Sequence, residues 1–470
     1  METPKLENKH INLFALSQGM NTMAQSIPLT YLTLFLTDYL KISPVAIGTG
    51  LLIAKTVDFL ASLVAGIIIE KSNMKHGKYL SWVRLLTFTL FFGNIVQMID
   101  TTAFIDNPNL RLTIVCVFYV MFHGSMNFSS SARGALITKL AGADMENRKR
   151  LTARQTQVGA AVSIITSAVT LPAINLVERL TGSESLGFFM VTFIFSCCFL
   201  VVNLIFVRSV QAFDPPMSAD APRKKTATVK EMVQSVVTNK QMLVLFFGFT
   251  MNTIGGQVFT GLTAYFFRAT DNFDFMTVAF TARSIVALLC SMAGPSLGRK
   301  LGKKKALLLS WGIYACVMLG IRFFAVDAEG NANLLFITCM LCLANGGMYL
   351  YTVFMTTYYL DCGEYGYYTT GVDNRTMAVT VMNWPTKIGF ALGGSLVGFA
   401  VGMAGYHAPT ETAAAYVDDM GRFLTIWSVI PACTTALAML IIALGYKLTE
   451  EQAAEYAKAN LEREQAAAKA

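Results

Sequence analysis

Residues 46–84 read AIGTGLLIAKTVDFLASLVAGIIIEKSNMKHGKYLSWVR, and two features of this stretch decide the fold. The first is an apolar run long enough to cross a bilayer that carries Lys55 and Asp58 inside it. Charge within the hydrocarbon of a membrane is costly and marks a relay or a pathway unless the charges only satisfy each other. Lys55 and Asp58 stand about one helical turn apart, so they share a face and can pair. The second feature is the basic turn EKSNMKHGK that closes the run, because Lys- and Arg-rich loops mark the cytoplasmic side of membrane helices.

Working outward, apolar runs of this length recur through all 470 residues, of which 54% are hydrophobic and 14% charged. Soluble domains carry about 25% charged residues, so composition places the chain in a membrane. Twelve runs of spanning length are predicted, near 12–37, 46–69, 80–100, 111–138, 155–177, 186–208, 241–267, 275–297, 304–325, 333–360, 376–404 and 422–446. Between the sixth and seventh lies DPPMSADAPRKKTATVKE, which reads as a linker. The chain thus divides into a six-helix half (1–209), a cytoplasmic linker (210–240), a second six-helix half (241–446) and a cytoplasmic tail (447–470). In the tail, Thr449 and Gln452 make a capping-box start for a short helix.

The net charge of +8 is distributed by loop. Lys71, Lys75 and Lys78 follow the second run; Arg148, Lys149, Arg150 and Arg154 follow the fourth. Arg223, Lys224, Lys225 and Lys230 lie in the linker, and Arg299, Lys300, Lys303, Lys304 and Lys305 follow the eighth run. Alternation puts all of them on the side of both termini, which makes that side the cytoplasm of a multi-pass protein of the cell (inner or plasma) membrane. The opposite connections, such as TTAFIDNPN and DAEGNAN, are poor in Lys and Arg. This is a topological pattern rather than a nucleic-acid footprint. The lone CxxC, Cys339 and Cys342, lies inside an apolar run without the further ligands a zinc site needs. No P-loop, nucleophile–base pair or metal cluster is visible in the sequence, so neither an enzyme, an ATP-driven pump nor a cofactor is expected.

The basic turn is echoed. Residues 66–78 read GIIIEKSNMKHGK and residues 294–306 read GPSLGRKLGKKKA, each following the second run of its half. This resembles the loop motif of the major facilitator superfamily, with Gly298 where the usual acid stands and Glu70 retaining it. The resemblance implies an all-α membrane protein, twelve transmembrane helices in two six-helix halves, with the binding site between the halves near the midplane.

Other polar residues inside the runs are candidates. Asn127, Arg133 and the run Ser129–Ser131 lie in the fourth; the serines either bond a neighbouring helix or line a cavity, and Arg133 either lines that cavity or snorkels to the interface. Lys387 sits deep in the eleventh run, where it needs a carboxylate, an anion or water. The Trp384-Pro385 pair just before it can loosen the helix, and Gly389, Gly393, Gly394 and Gly398 permit close packing around it.

Several stretches taken together resemble the glycoside–pentoside–hexuronide:cation symporters, the family of melibiose permease. They are YLTLFLTDYLKISPVAIGTGLL, KTVDFLASLVAGIIIEKSNMKHGKYLSW, ADMENRKRLTARQ, YYLDCGEYGYYTTG, and Lys387 standing 19 residues before Tyr406. The resemblance implies that Asp58 carries cation coupling with Lys387 as its switching partner and Lys55, Ser62 and Asn127 beside it. It implies substrate contacts from Asn21, Thr22, Asn127, Ser131, Tyr349, Lys387 and Arg133, and cytoplasmic gate contacts from Glu70, Arg148, Asp361 and Glu364. The chain departs from the family where sodium-using members keep more acids. The second acid of the second helix falls on Ser62, the fourth-helix acid on Asn127, and the first-helix acid that grips galactosides on Thr22. One carboxylate suffices for a proton, whereas Na⁺ needs several oxygens. The expectation is therefore H⁺-coupled symport of a sugar, glycoside or hexuronide by a monomer, favoured over Na⁺ bound at Asp58. Uncoupled uniport, a lysolipid-type amphiphile carrier of the same fold, and a non-transporting membrane sensor stand as alternatives.

Overall fold

The structure, a computed structural model, describes residues 6–72, 74, 77–142, 144–215, 228–327, 329–352, 354–371, 375–410 and 413–469. Lys75 and His76 of the basic turn, and the linker centre 216–227 with Arg223, Lys224 and Lys225, lie outside these. In lipid every backbone N–H and C=O needs an internal partner, so the apolar runs fold as helices. In the first half these are α1 (Asn8–Asp38), α2 (Pro44–Lys71), α3 (Lys78–Val96), α4 (Pro108–Ala141), α5 (Met145–Thr181) and α6 (Glu184–Ser209). After the linker come α7 (Val229–Thr238), α8 (Lys240–Ala269), α9 (Met276–Leu301), α10 (Lys303–Phe324), α11 (Leu334–Thr352), α12 (Met355–Thr370), α13 (Arg375–Val381), α14 (Trp384–Met403), α15 (Met420–Gly445) and α16 (Glu450–Lys469).

Among the described residues, eleven helical stretches are long and apolar enough to cross a membrane, with α11 and α12 counted as one. The polar-rich α1, 31 residues long, covers the first of the twelve expected runs and is not among these eleven. Local chemistry sets the ends. Pro44 and Pro108 open α2 and α4, where the missing N–H costs nothing. Asp144 and Ser183 cap α5 and α6 by accepting from backbone N–H groups of their first turns.

Two runs differ from the sequence reading. The tenth, expected to stop near 360, continues through α12 to Thr370. The eleventh, expected as a single helix over 376–404, is broken into α13 and α14, with Pro385 in the first turn of α14. Proline has no N–H for the preceding turn, so it begins a helix more readily than it continues one.

The described residues form two compact units. The first holds those within Met1–Thr226, Ala264–Thr281 and Tyr406–Tyr416; the second holds Ala227–Thr263, Ala282–Gly405 and Val417–Ala470. The first unit therefore includes the end of α8, the start of α9 and part of the α14–α15 connection, although these belong by sequence to the second half.

In the first unit, α3 packs against α4 and α6, α1 against α5 and α6, and α2 against α4. One end gathers the start of α1 and the basic connections. There Arg150 donates to Asn8 Oδ1 at 2.8 Å and Arg154 to Asn12 Oδ1 at 2.9 Å. The α2–α3 connection is held at the same end. Gly77 has φ +97°, and a Cβ on it would lie 2.2 Å from the Asp214 carbonyl oxygen. Asp214 Oδ2 accepts from the N–H groups of Tyr79 (2.6 Å) and Leu80 (2.9 Å), capping α3 from just beyond α6. Lys78 pairs with Glu70 at 2.7 Å, and the Tyr79 hydroxyl donates to the other Glu70 oxygen at 2.8 Å.

The second unit repeats this arrangement with different residues. Gly302, φ +78°, precedes α10. The Lys303 N–H donates to Glu450 Oε1 at 2.8 Å, from just beyond α15, and Lys303 Nζ pairs with Asp361. Gly298 stands where Glu70 stands in the first copy because the Phe354 ring occupies that space, 2.1 Å from where a Cβ would lie; the acid is supplied instead by α12. The tail helix α16 lies along α12, with Tyr456 stacked on Tyr368 at 4.6 Å and Asn460 donating to Glu364 Oε2 at 2.8 Å.

Removing Asp214 leaves the part-buried Tyr79 and buried Leu80 N–H groups unsatisfied, whereas the Lys303 N–H capped by Glu450 is exposed and water can replace the acid. Asp214→Ala should therefore lower stability by about 1–2 kcal/mol and Glu450→Ala by less. Gly77→Ala should cost more than Gly66→Ala, since Gly66 has nothing near its missing Cβ. Thermal unfolding of the purified variants in detergent checks the order; equal midpoints for Gly77→Ala and Gly66→Ala would contradict it.

Candidate functional site

The intramembrane acid is built into the first unit by α2 and α4. Asp58 on α2 is 6% exposed and Asn127 on α4 is 8% exposed. The Asn127 side-chain amide donates to Asp58 Oδ1 at 2.6 Å and to the Asp58 carbonyl at 3.1 Å. One neutral donor thus holds both the carboxylate and its own backbone turn, joining the two helices at this point. Lys55 is half-buried, one turn earlier on α2. Ser62 lies one turn later, and its hydroxyl donates to the Phe59 carbonyl at 2.6 Å, within its own helix.

Arg133 is 2% exposed, so the snorkelling reading does not hold. Its guanidinium is clamped across three helices. Nε donates to Ser129 on α4 (3.1 Å), Nη1 to Ser17 on α1 (2.9 Å) and Nη2 to Asn203 Oδ1 on α6. It also lies over the Phe206 ring, 5.8 Å from the centroid. These partners are all neutral oxygens, so the cation is kept charged by dipoles and a π face rather than by a carboxylate. Of the serine run, Ser129 faces this cluster while Ser131 is exposed. Asn21 is half-buried; Thr22 is exposed, and its hydroxyl donates to the Gln18 carbonyl at 3.3 Å.

In the second unit Lys387 stands in the first turn of α14, half-buried. The helix dipole makes this a positive site without the side chain, so the lysine adds charge where an anion or a coupled carboxylate is most favoured. The start of α14 cannot drift from α8. A Cβ on Gly389 would lie 2.5 Å from Thr253, and one on Gly393 would lie 2.5 Å from the Ile254 carbonyl. Tyr349 on α11 is 40% exposed. The gate candidates are each engaged within their own unit: Glu70 by Lys78 and Tyr79, Asp361 by Lys303, and Glu364 by Asn460 and, at 3.5 Å, by Arg375. Arg148 is half-buried near the start of α5.

Sequence reasoning missed Ser17 and Asn203, which stand among several other polar side chains of the first and sixth runs and carry no distinguishing signal there. It also missed a charged cluster at the end of the first unit opposite the basic connections. Arg268, near the end of α8, donates to both oxygens of Glu184 (2.9 and 2.5 Å) and to the Tyr39 hydroxyl (2.7 Å). Its Nε lies 3.4 Å from Asp38, whose side chain is 0% exposed. The Tyr406 hydroxyl donates to Asp38 at 3.1 Å, and Thr37 shares a hydrogen bond with Tyr265 at 3.1 Å. Charges at helix ends read as interface residues in a sequence, which hid this cluster.

The profile of the MFS/sugar transport protein family matches residues 14–450. The isoprimeverose transporter of Lactiplantibacillus pentosus is 23% identical over 86% of the chain and 83% of its own length. The putative glycoside/cation symporter YagG of Escherichia coli is 22% identical over 89% of the chain and 87% of its own length. Among solved structures, the nucleoside transporter NupG superposes with a TM-score of 0.65 at 15% identity, covering 94% of the chain and 100% of NupG. At that identity the likeness speaks for the fold alone.

Two outcomes follow from this geometry. Arg133→Leu leaves the Ser129 hydroxyl and Asn203 Oδ1 without their donor in a dry interior, while Ser17 keeps its bond to the Phe14 carbonyl, and should cost about 2–4 kcal/mol, whereas Ser131→Ala should be close to neutral; thermal unfolding in detergent separates them. Arg268→Gln removes the ion pairs to Asp38 and Glu184. In a background without the native cysteines, a Thr37→Cys reporter, 5% exposed in the intact cluster, should then react severalfold faster with a membrane-impermeant maleimide. An unchanged labelling rate would mean that Arg268 does not hold this end closed.

Proposed function

The chain belongs to the MFS/sugar transport protein family, as a glycoside–pentoside–hexuronide:cation symporter type of secondary transporter, and we propose that it couples a sugar, glycoside or hexuronide to protons through Asp58. The observation that carries the reading is the Asp58–Asn127 contact: a buried intramembrane carboxylate that accepts an amide N–H at 2.6 Å. A donor at Oδ1 suits an anion that gains and loses a proton. A Na⁺ ion would instead want further oxygens pointing at the same place, and here the positions that supply acids in sodium-using relatives are Ser62 and Asn127. The sugar relatives named above support the substrate class.

In this reading the basic end faces the cytoplasm, because loops on that side carry the excess of Lys and Arg. The Arg268–Glu184–Asp38 cluster then closes the outer side, and the loops around Glu70, Arg148, Asp361 and Glu364 work on the inner side. Lys387, at the positive end of α14, is the cation that answers the change of charge at Asp58 and attracts an acidic or polyhydroxyl solute. Asn21, Thr22, Ser131 and Tyr349 are the polar and aromatic groups offered to that solute. Arg133 sets the spacing of α1, α4 and α6 around it rather than touching it. A single chain is the transport unit.

The test is solute counterflow in proteoliposomes with a panel of glycosides, free sugars and uronides, repeated under pH and Na⁺ gradients. A pH gradient, inside alkaline, should drive accumulation and a Na⁺ gradient should add nothing. Asp58→Asn should abolish pH-driven accumulation while keeping exchange at equal concentrations. Accumulation by Asp58→Asn equal to that of the parent protein, or accumulation that requires Na⁺, would overturn proton coupling through this residue.

A further inference from the structure

Between α3 and α6, at the basic end of the first unit, lies a cavity of about 400 Å³. Its polar lining is Arg84, Arg208, Ser81 and Gln211, and its wall includes Leu204 and Val207. No acid lines it. Both arginines are exposed, and among the described residues neither hydrogen-bonds nor pairs with a carboxylate. Ser81 Oγ is buried with no hydrogen-bond partner. Two guanidinium groups and an orphan hydroxyl at the edge of a bilayer form an incomplete set of donors. The ring of partners they lack is a set of anionic oxygens.

The apolar surface leading away from the cavity points to where those oxygens come from. On α3, Leu85, Phe88 and Phe92 are 50%, 41% and 56% exposed, and on α6, Val201 and Ile205 are 55% and 49% exposed. Helical spacing puts Phe88 and Phe92 on the face of Arg84, and Val201 and Ile205 on the face of Arg208. Each arginine therefore ends an apolar rail that runs about 10 Å into the membrane at 1.5 Å per residue. A soluble phosphate would use the arginines and leave the rails bare. A phospholipid uses both, with its headgroup in the cavity and its acyl chains along the rails.

We propose that the cavity between α3 and α6 is a binding site for an anionic phospholipid in the leaflet at the basic end, with its phosphodiester held by Arg84 and Arg208 and by Ser81. The site is separate from the Asp58–Asn127 contact and does not depend on which solute or ion is carried.

The experiment is native mass spectrometry of the full-length protein in mild detergent, titrated with phosphatidylglycerol against phosphatidylcholine. The parent protein should retain phosphatidylglycerol about tenfold better. Arg84→Gln with Arg208→Gln should lose that preference about tenfold. Ser81→Leu fills the cavity with both charges in place and should lose it as well. Arg299→Gln with Lys300→Gln removes the same charge at the basic end of the other unit and should keep it. Excess inorganic phosphate should leave the bound lipid in place. The proposal fails if the double arginine variant retains phosphatidylglycerol as the parent does, if the Arg299 and Lys300 control loses as much, or if inorganic phosphate displaces the lipid. Thermal unfolding of each variant accompanies the titration, and the phosphate competition on the parent protein decides the matter even where a variant does not fold.

Discussion

A bilayer holds no water with which to complete a hydrogen bond, and that one constraint governs how every polar group in this protein is placed. The Arg133 guanidinium crosses the interior of the first unit with Ser17, Ser129 and Asn203 as its partners and the Phe206 ring beneath it. It is a buried charge balanced by dipoles rather than by an opposite charge. Asp58 meets the same constraint from the other side, with the Asn127 amide bridging its carboxylate and its backbone carbonyl. The first arrangement is made to stay as it is, because three helices share it. The second joins α2 and α4 through the Asn127 amide. Within a single unit, a buried cation is thus shared among three helices while a buried carboxylate joins two.

The constraint also shapes the ends of the helices. Both units face the same task at their basic ends, where a helix must start tightly after a glycine with positive φ and its first N–H groups need acceptors. Both solve it with a carboxylate placed just after the last membrane helix of the half, Asp214 for α3 and Glu450 for α10. The lysine after the glycine is neutralised in each case, by Glu70 in one unit and by Asp361 in the other. The geometry has been kept while the residue that supplies it has moved. At Gly298 the reason is steric, since the Phe354 ring fills the place of the acid side chain. A departure from the loop motif that looks like a loss in one dimension is thus a transfer of the same charge to α12.

At the opposite end of the first unit the chain does something the repeat does not explain. The end of α8 and the connection before α15 join helices of the first half through Arg268, Asp38, Glu184 and Tyr406. A cluster of partly buried ion pairs is strong while it is closed and weakens as more water enters. That property suits a contact which must be made and broken in each transport cycle, in a way that a glycine-packed contact such as that of α8 and α14 does not.

The sequence alone determined the membrane setting, the run of spanning helices, the doubled basic turn and the presence of one acid, Asp58, in a span. Each of these is a property of a short segment: hydropathy over a helix length, charge within a loop, or a residue type inside an apolar run. It also pointed to Lys387, because a lysine far from any charge along the chain stands out without knowledge of its neighbours. Only the tertiary structure decided that Arg133 is buried rather than at the interface, that Pro385 begins α14 instead of bending one long helix, and that Asp38 and Arg268 belong together although Tyr39, the residue after Asp38, stands 229 positions before Arg268 along the chain. The physical reason is that the energy of a charge depends on which groups surround it, and those groups come from other helices. A segment can declare that a charge is present; its partner, and hence its role, is chosen by the packing.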